Sequence, residues 1–261
     1  MNGLEVRREV VSGHVGELEQ RVAKHQAELA SLADDLAEQF TALLAEGEAA
    51  LASCRKAADA NMKAAALFRQ LRQDTQAARA DQSNSPMMPV LESRSSQALL
   101  GPVTAQAGDV ALLSASLQHH LVEVHADLAR LQGRVDGLCR QAGLSAPDRL
   151  AVAAEVAAKM NTFAEQADQQ YQAAGKAFND VAERMLARSP VNTKDTDWLY
   201  KGAQARALYG RYRLAVLRNE PEAASTYRDS ASKLVADLLV GHQGDDVYAP
   251  IEQIARRLKG E

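Results

Sequence analysis

Six histidines occur in the 261 residues: His14, His25, His119, His120, His125 and His242. Three of them fall in the run His119-His-Leu-Val-Glu-Val-His125. Imidazoles this close could ligate a metal or move a proton near neutral pH. On a helix His119 and Glu123, four apart, share a face, whereas His120 and His125, five apart, do not. Zinc normally takes four N, S or O ligands, and both cysteines, Cys54 and Cys139, lie outside this run. The histidines therefore read as solvated or helix-flank side chains, and no metal or cofactor is expected. The carboxylate pairs Asp34-Asp35 and Asp245-Asp246 read as solvated too. General acid–base work needs carboxylates held in a cleft that separates their pKa values, and no pattern here builds one. His-Glu-x-x-His, a phosphate loop, Gly-x-Ser-x-Gly and Cys-x-x-Cys are all absent. The chain reads as a non-enzyme.

A second grouping lies between Asp197 and Arg218, where Lys201, Arg206, Arg211, Arg213 and Arg218 alternate with Trp198, Tyr200, Tyr209 and Tyr212. Arginine mixed with large aromatics is the composition of protein-binding hot spots and also of single-strand nucleic-acid grooves. Helical spacing places Trp198, Ala205, Leu208, Tyr212 and Ala215 toward a core. The candidate protein-binding residues are Trp198, Lys201, Arg206, Tyr209, Arg211, Tyr212, Arg213 and Arg218. The net charge of −4 creates no general demand for nucleic acid.

The elements that must hold these residues are helical. About 50 residues are Ala and about 31 are Leu, against two Ile, 15 Gly and 7 Pro. Helix formers dominate and strong strand formers are scarce. An all-β domain is excluded, as is a disulfide-stapled scaffold, because two cysteines cannot build one. No apolar run is long enough to span a bilayer, and the first residues lack the cationic-then-apolar layout of a secretory signal. The expected location is cytoplasmic, with signal-independent secretion left open. The Ala- and Arg-rich, Ile-poor composition is that of a GC-rich, bacterial coding sequence.

Residues 1–81 carry one helical pattern of coiled-coil character. Val11, Leu18, His25 and Leu32 recur at sevens, interleaved with Val15, Val22, Leu29, Leu36 and Leu43. The seam drifts near Phe40 and Leu44, as at a heptad stutter, and continues through Leu51, Cys54, Ala58, Met62, Ala65 and Phe68. Gly47 stands without Pro, Asn or Ser beside it, so one helix of about 75 residues, roughly 110 Å long, is expected. A break at Gly47 is the alternative. Charge divides along it: residues 1–50 hold ten Asp/Glu against four Lys/Arg, and 55–79 hold six Lys/Arg against two Asp. That layout favours antiparallel self-pairing or the docking of oppositely charged surfaces.

Residues 82–108 read as a flexible linker, because Pro86, Pro89 and Gly101-Pro102 break a helical pattern. Residues 109–190 read as an antiparallel helical hairpin. Val110, Leu117, Val124, Leu131 and Leu138 seed its first arm; Gly143 and Ser145-Ala-Pro-Asp148 form its turn. Met160, Ala164, Ala167, Tyr171, Ala174, Phe178, Val181 and Met185 seed its second arm, from about Ala146 to Arg188. Residues 193–261 read as a separate short-helix region, with Asn219 as an N-cap answered by Glu222 and Gly241 closing the helix that follows. Ala207, Gly210, Ala223 and Tyr227 are spaced in a way that loosely resembles one tetratricopeptide unit. There is no second copy, and no family is assigned on it.

The expected fold is all-α: an elongated antiparallel helical bundle or coiled coil with a small C-terminal helical-hairpin region. The expected function is a non-enzymatic interaction protein, whether adaptor, assembly component or secretion-associated protein. It would act through coiled-coil surfaces and a C-terminal docking surface on protein partners, with homo-oligomerisation compatible. The alternative is a membrane-surface scaffold binding anionic lipid through basic helix faces.

Overall fold

In a computed structural model the described residues are 2–80, 88–141, 154–186, 193–240 and 246–260, and every regular element among them is helical. The helices are α1 (Asn2–Ala80), α2 (Met88–Gln141), α3 (Ala154–Leu186), α4 (Thr193–Leu217), α5 (Pro221–Leu239) and α6 (Ala249–Lys259), with a single 3-10 turn at Asp246–Tyr248. The fold is an all-α helical bundle.

Helix α1 passes through Gly47 without a break. The glycine serves as a notch: a Cβ there would stand 2.8 Å from Leu121 Cδ1, so its absence lets a leucine of α2 rest on the α1 backbone. The stretch expected as a linker is corrected from Met88 onward, because α2 starts there and runs through Pro102. Pro89 falls in the first turn, where its missing N–H is not needed. Pro102 lies on the exposed side of α2, and its cost of about 3 kcal/mol is opposed by packing just beyond it. There the Phe178 ring sits against Gly108, close enough that a Cβ on the glycine would be 3.0 Å from it. Pro86 and the turn at Gly143–Asp148 lie outside the described residues.

The chain forms two compact units, and their boundaries do not follow the segments read from sequence. One combines Met1–Glu46 with Val124–Ala158; the other combines Gly47–Glu123 with Lys159–Glu261. In the first unit Ala33, Phe40 and Cys139 are buried, and the Phe40 ring meets His125 at 6.1 Å.

The second unit is layered around α4. On one side Ala115 of α2, Ala164, Ala167 and Tyr171 of α3, and Ala207 and Leu214 of α4 close one cluster. Ala111, Ala174, Phe178 and Ala203 close the next. Along these contacts residue numbers rise on α2 as they fall on α3, and fall on α3 as they rise on α4, so successive helices run antiparallel. Alanine and glycine at the crossings allow this close approach. On the other side of α4, Ala205 joins Ala231, Val235 and Leu238 of α5 and Ile251, Ile254 and Leu258 of α6. The region 193–261 is therefore not a separate layer, because α4 belongs equally to the bundle formed with α2 and α3.

Asn219 closes α4 instead of capping α5. It adopts the left-handed conformation (φ 56°). Its N–H donates to Val216 O at 3.1 Å, while the Glu220 N–H donates to Ala215 O at 2.9 Å. Those two bonds define a Schellman stop. Pro221 then opens α5 at a first-turn position. Gly241 lies outside the described residues. Gly260 (φ 87°) ends α6, and the Arg228 guanidinium donates to the Leu258 carbonyl from Nε (3.1 Å) and Nη2 (2.9 Å), satisfying an end carbonyl of that helix.

Candidate functional site

Burial of α4 on two sides decides what its basic and aromatic residues do. Arg211 donates to both carboxylate oxygens of Asp168 on α3, from Nε at 2.7 Å and from Nη2 at 3.1 Å, and to the Tyr227 hydroxyl on α5 at 2.6 Å. Its guanidinium lies 4.2 Å from the centre of the Tyr227 ring. A paired, stacked arginine of this kind braces three helices. Arg213 donates to Glu123 of α2 and lies 6.0 Å from the Tyr209 ring. Tyr209 and Tyr212 are half-buried against the α4–α5–α6 core, with ring centres 6.1 Å apart. Arg218 pairs with Glu220 at 2.9 Å near the surface.

Of the eight candidate docking residues, Tyr209, Arg211, Tyr212, Arg213 and Arg218 have the contacts just given, and Lys201 also interacts within the chain. Arg206 is exposed and Lys201 half-buried. Trp198 is on α4, but its side chain lies outside the described residues. Arg211 and Arg213 thus lie in the seams between helices, while Arg206 stays on the surface.

Those braces border a polar junction that the sequence reading placed in solvent. His119 is 4% exposed, and its Nδ1 lies 3.1 Å from the Tyr171 hydroxyl. The two rings meet edge-on, with centres 6.0 Å apart and planes at 89°. His119 Nε2 stands 3.5 Å from Glu123 Oε1, beyond hydrogen-bond length, and has no hydrogen-bond partner. Beside it Gln118 Nε2 donates to Gln166 Oε1 at 2.8 Å. Burial, then the nearby Arg213 and His120, push the His119 pKa down from 6.5 to about 4. The imidazole is therefore neutral at physiological pH, with Nδ1 and the Tyr171 hydroxyl in hydrogen-bond contact. Burial also raises the Tyr171 pKa and lowers that of His125. A tyrosine driven toward its neutral form is not an activated nucleophile or base. The spacing of His119 and Glu123 was readable as a shared face; the burial of that face was not.

Between α1, α2 and α3 of the second unit runs a cavity of about 370 Å³. It is lined mainly by small apolar side chains, among them Cys54, Ala58, Ala107 and Ala111, with Arg55 and Arg69 on its α1 wall. Neither His119 nor Tyr171 lines it. Cys54 and Cys139 are free buried thiols. Among the described residues no group of three His, Cys, Asp or Glu side chains is placed to hold a metal ion, and no helix is long and apolar enough to cross a membrane.

Among the described residues, some of the large apolar side chains that stay exposed lie on the first half of α1. On α1, Val15, Leu18, Val22 and Leu32 are 48%, 60%, 40% and 56% exposed. These are seam positions of the sequence pattern, where burial was expected. Comparison of the chain with protein-family models, with curated proteins and with solved structures finds no match in any of the three.

Proposed function

We propose that this chain is a non-enzymatic helical interaction protein that presents helix faces to a protein partner. The observation that carries the reading is the uncovered row Val15, Leu18, Val22 and Leu32. Leucines and valines spaced by threes and fours form a coiled-coil seam, and an apolar row left in water marks an interaction surface. The buried His119–Tyr171 contact supports the reading from the other side, since burial favours the neutral form of both side chains. The roles of adaptor, assembly component or secretion-associated protein all use such a surface.

Co-purification from cells making the chain at native level tests the reading. The Leu18→Glu/Leu32→Glu variant should lose the proteins that the unaltered chain retains. Retention at equal yield contradicts it.

A second reading has one observation in its favour. Met62 and Leu67 are 63% and 67% exposed in the same stretch of α1 as Lys63 and Arg69, a basic and apolar mixture suited to an anionic lipid surface. Flotation with phosphatidylserine vesicles at low salt should then carry the chain upward, and a chain left at the bottom of the gradient eliminates it.

A further inference from the structure

We infer that the uncovered α1 seam between Val15 and Leu32 is the pairing surface for a second copy of this chain, laid antiparallel about a two-fold axis between Val22 and His25. The inference rests on the interaction reading above and names the partner.

Self-complementarity singles out this occupant. When the segment is laid against itself head to tail, Val15 meets the partner's Leu32, Leu18 meets the partner's Leu29, which is half-buried in its own unit, and Val22 meets the partner's His25. Each apolar layer then joins a leucine to a valine or to another leucine, and the one polar seam residue is set against a valine. The flanks agree in charge. Arg21 falls opposite the partner's Glu28, and the two-fold axis repeats that pair; Glu19 falls opposite the neutral partner's Gln26. Arg21, Glu19 and Gln26 are all exposed.

A parallel pair fits worse on the same residues. It would put His25 on the partner's His25, Arg21 beside the partner's Gln26, and Glu28 beside the partner's Ala33, with no Arg–Glu contact. Ala33 is in any case buried in its own unit, at 1% exposure. In the single chain Glu28 lies 3.1 Å from His25 Nδ1 and 3.8 Å from Lys24. All three side chains are more than half exposed, and surface pairs of this kind are weak enough to exchange. A protein association driven by such a seam gains specificity and register from these flanking charges.

Sedimentation equilibrium of the purified full chain tests the assignment, together with disulfide mapping of a mixture of Val15→Cys and Leu32→Cys chains. The expected mass is twice 28.1 kDa, and mild oxidation should give mixed 15–32 disulfides between chains. Arg21→Glu should raise the dimer Kd roughly tenfold, and Arg21→Glu/Glu28→Arg should restore it. All the substituted side chains are exposed, and circular dichroism of each variant should match the unaltered chain. A monomer at every concentration overturns the assignment, as does a dimer whose disulfides join 15 to 15 and 32 to 32. A monomer that still retains another protein through Leu18 and Leu32 overturns the second copy while leaving the broader interaction reading standing.

Discussion

Tyr171 is the residue on which the helix crossings of the second unit turn. Its ring lies against Gly210 so closely that a Cβ would stand 2.3 Å from Cζ, and its hydroxyl is tied to His119. The ring therefore cannot step aside. Gly210→Ala should destabilise the fold by about 1–3 kcal/mol through overpacking, outweighing the gain of about 1 kcal/mol in helix propensity, and thermal unfolding should show a lower Tm. Gly47→Ala is the contrast. Its new methyl would meet Cδ1, Cδ2 and Cγ of Leu121 at 2.8, 3.1 and 3.3 Å, a flexible side chain and not a ring, so its loss of Tm should be smaller than that of Gly210→Ala.

His119 supplies the pH dependence. Its folded pKa is about 4 against 6.5, so below pH 6.5 the unfolded chain binds a proton that the folded chain refuses. Stability contributed by the neutral imidazole is complete above pH 6.5 and is lost as pH falls toward 4, by about 3 kcal/mol at most. Urea unfolding at pH 7 and at pH 4.5 should show this loss shrinking in His119→Gln, and an unchanged pH slope would disprove the assignment. None of this was legible in the sequence. Histidine and alanine carry little hydrophobic signal, so a face made of Ala111, Ala115, Gln118 and His119 did not look like a core.

Among the elements, α3 was the most readable. Met160, Ala164, Ala167, Tyr171, Ala174, Phe178 and Val181 are all buried, as their spacing required, because one helix packed on one side keeps a clean 3.6-residue period. Helix α4 breaks that rule. It buries Ala203, Ala207 and Leu214 toward α2 and α3, and Ala205 toward α5 and α6, so its period is blurred and its arginines looked surface-bound. In α2 the seam was only partly readable: Leu121, expected in the core, is 2% exposed, but Leu131 and Leu138 are 39% and 65% exposed, while Ala111 and Ala115 are inside. Proline weighting misplaced the start of α2 for a similar reason: a first-turn proline does not oppose a helix.

The α4–α5 corner offers a test at this scale. Asn219 holds a left-handed backbone that glycine adopts freely and alanine resists. Asn219→Gly should retain the Tm, and Asn219→Ala should cost about 1 kcal/mol. Equal losses in both variants would mean that the asparagine side chain, and not its backbone, secures the stop.

For the whole molecule, the interior and the surface divide the chemistry between them. Arg211 and Arg213 of α4 and His119 of α2 are committed inside the second unit, where they join helices. The first unit leaves leucines and valines of α1 in water, at positions a coiled coil would bury. Burying a leucine or valine from full exposure yields about 1.5–3 kcal/mol, so several uncovered at one seam favour association. The heptad was visible in the sequence. The exposure of Val15, Leu18, Val22 and Leu32 among the described residues was not, since spacing alone does not reveal which helix covers a seam.

Site-specific photo-crosslinking in cells tests the central claim most directly, with the photoreactive residue placed at position 18 and, as a control, at exposed Glu165. The account predicts a protein adduct from position 18 and little or none from position 165. Equal adduct formation at both positions, or none at position 18, would contradict it.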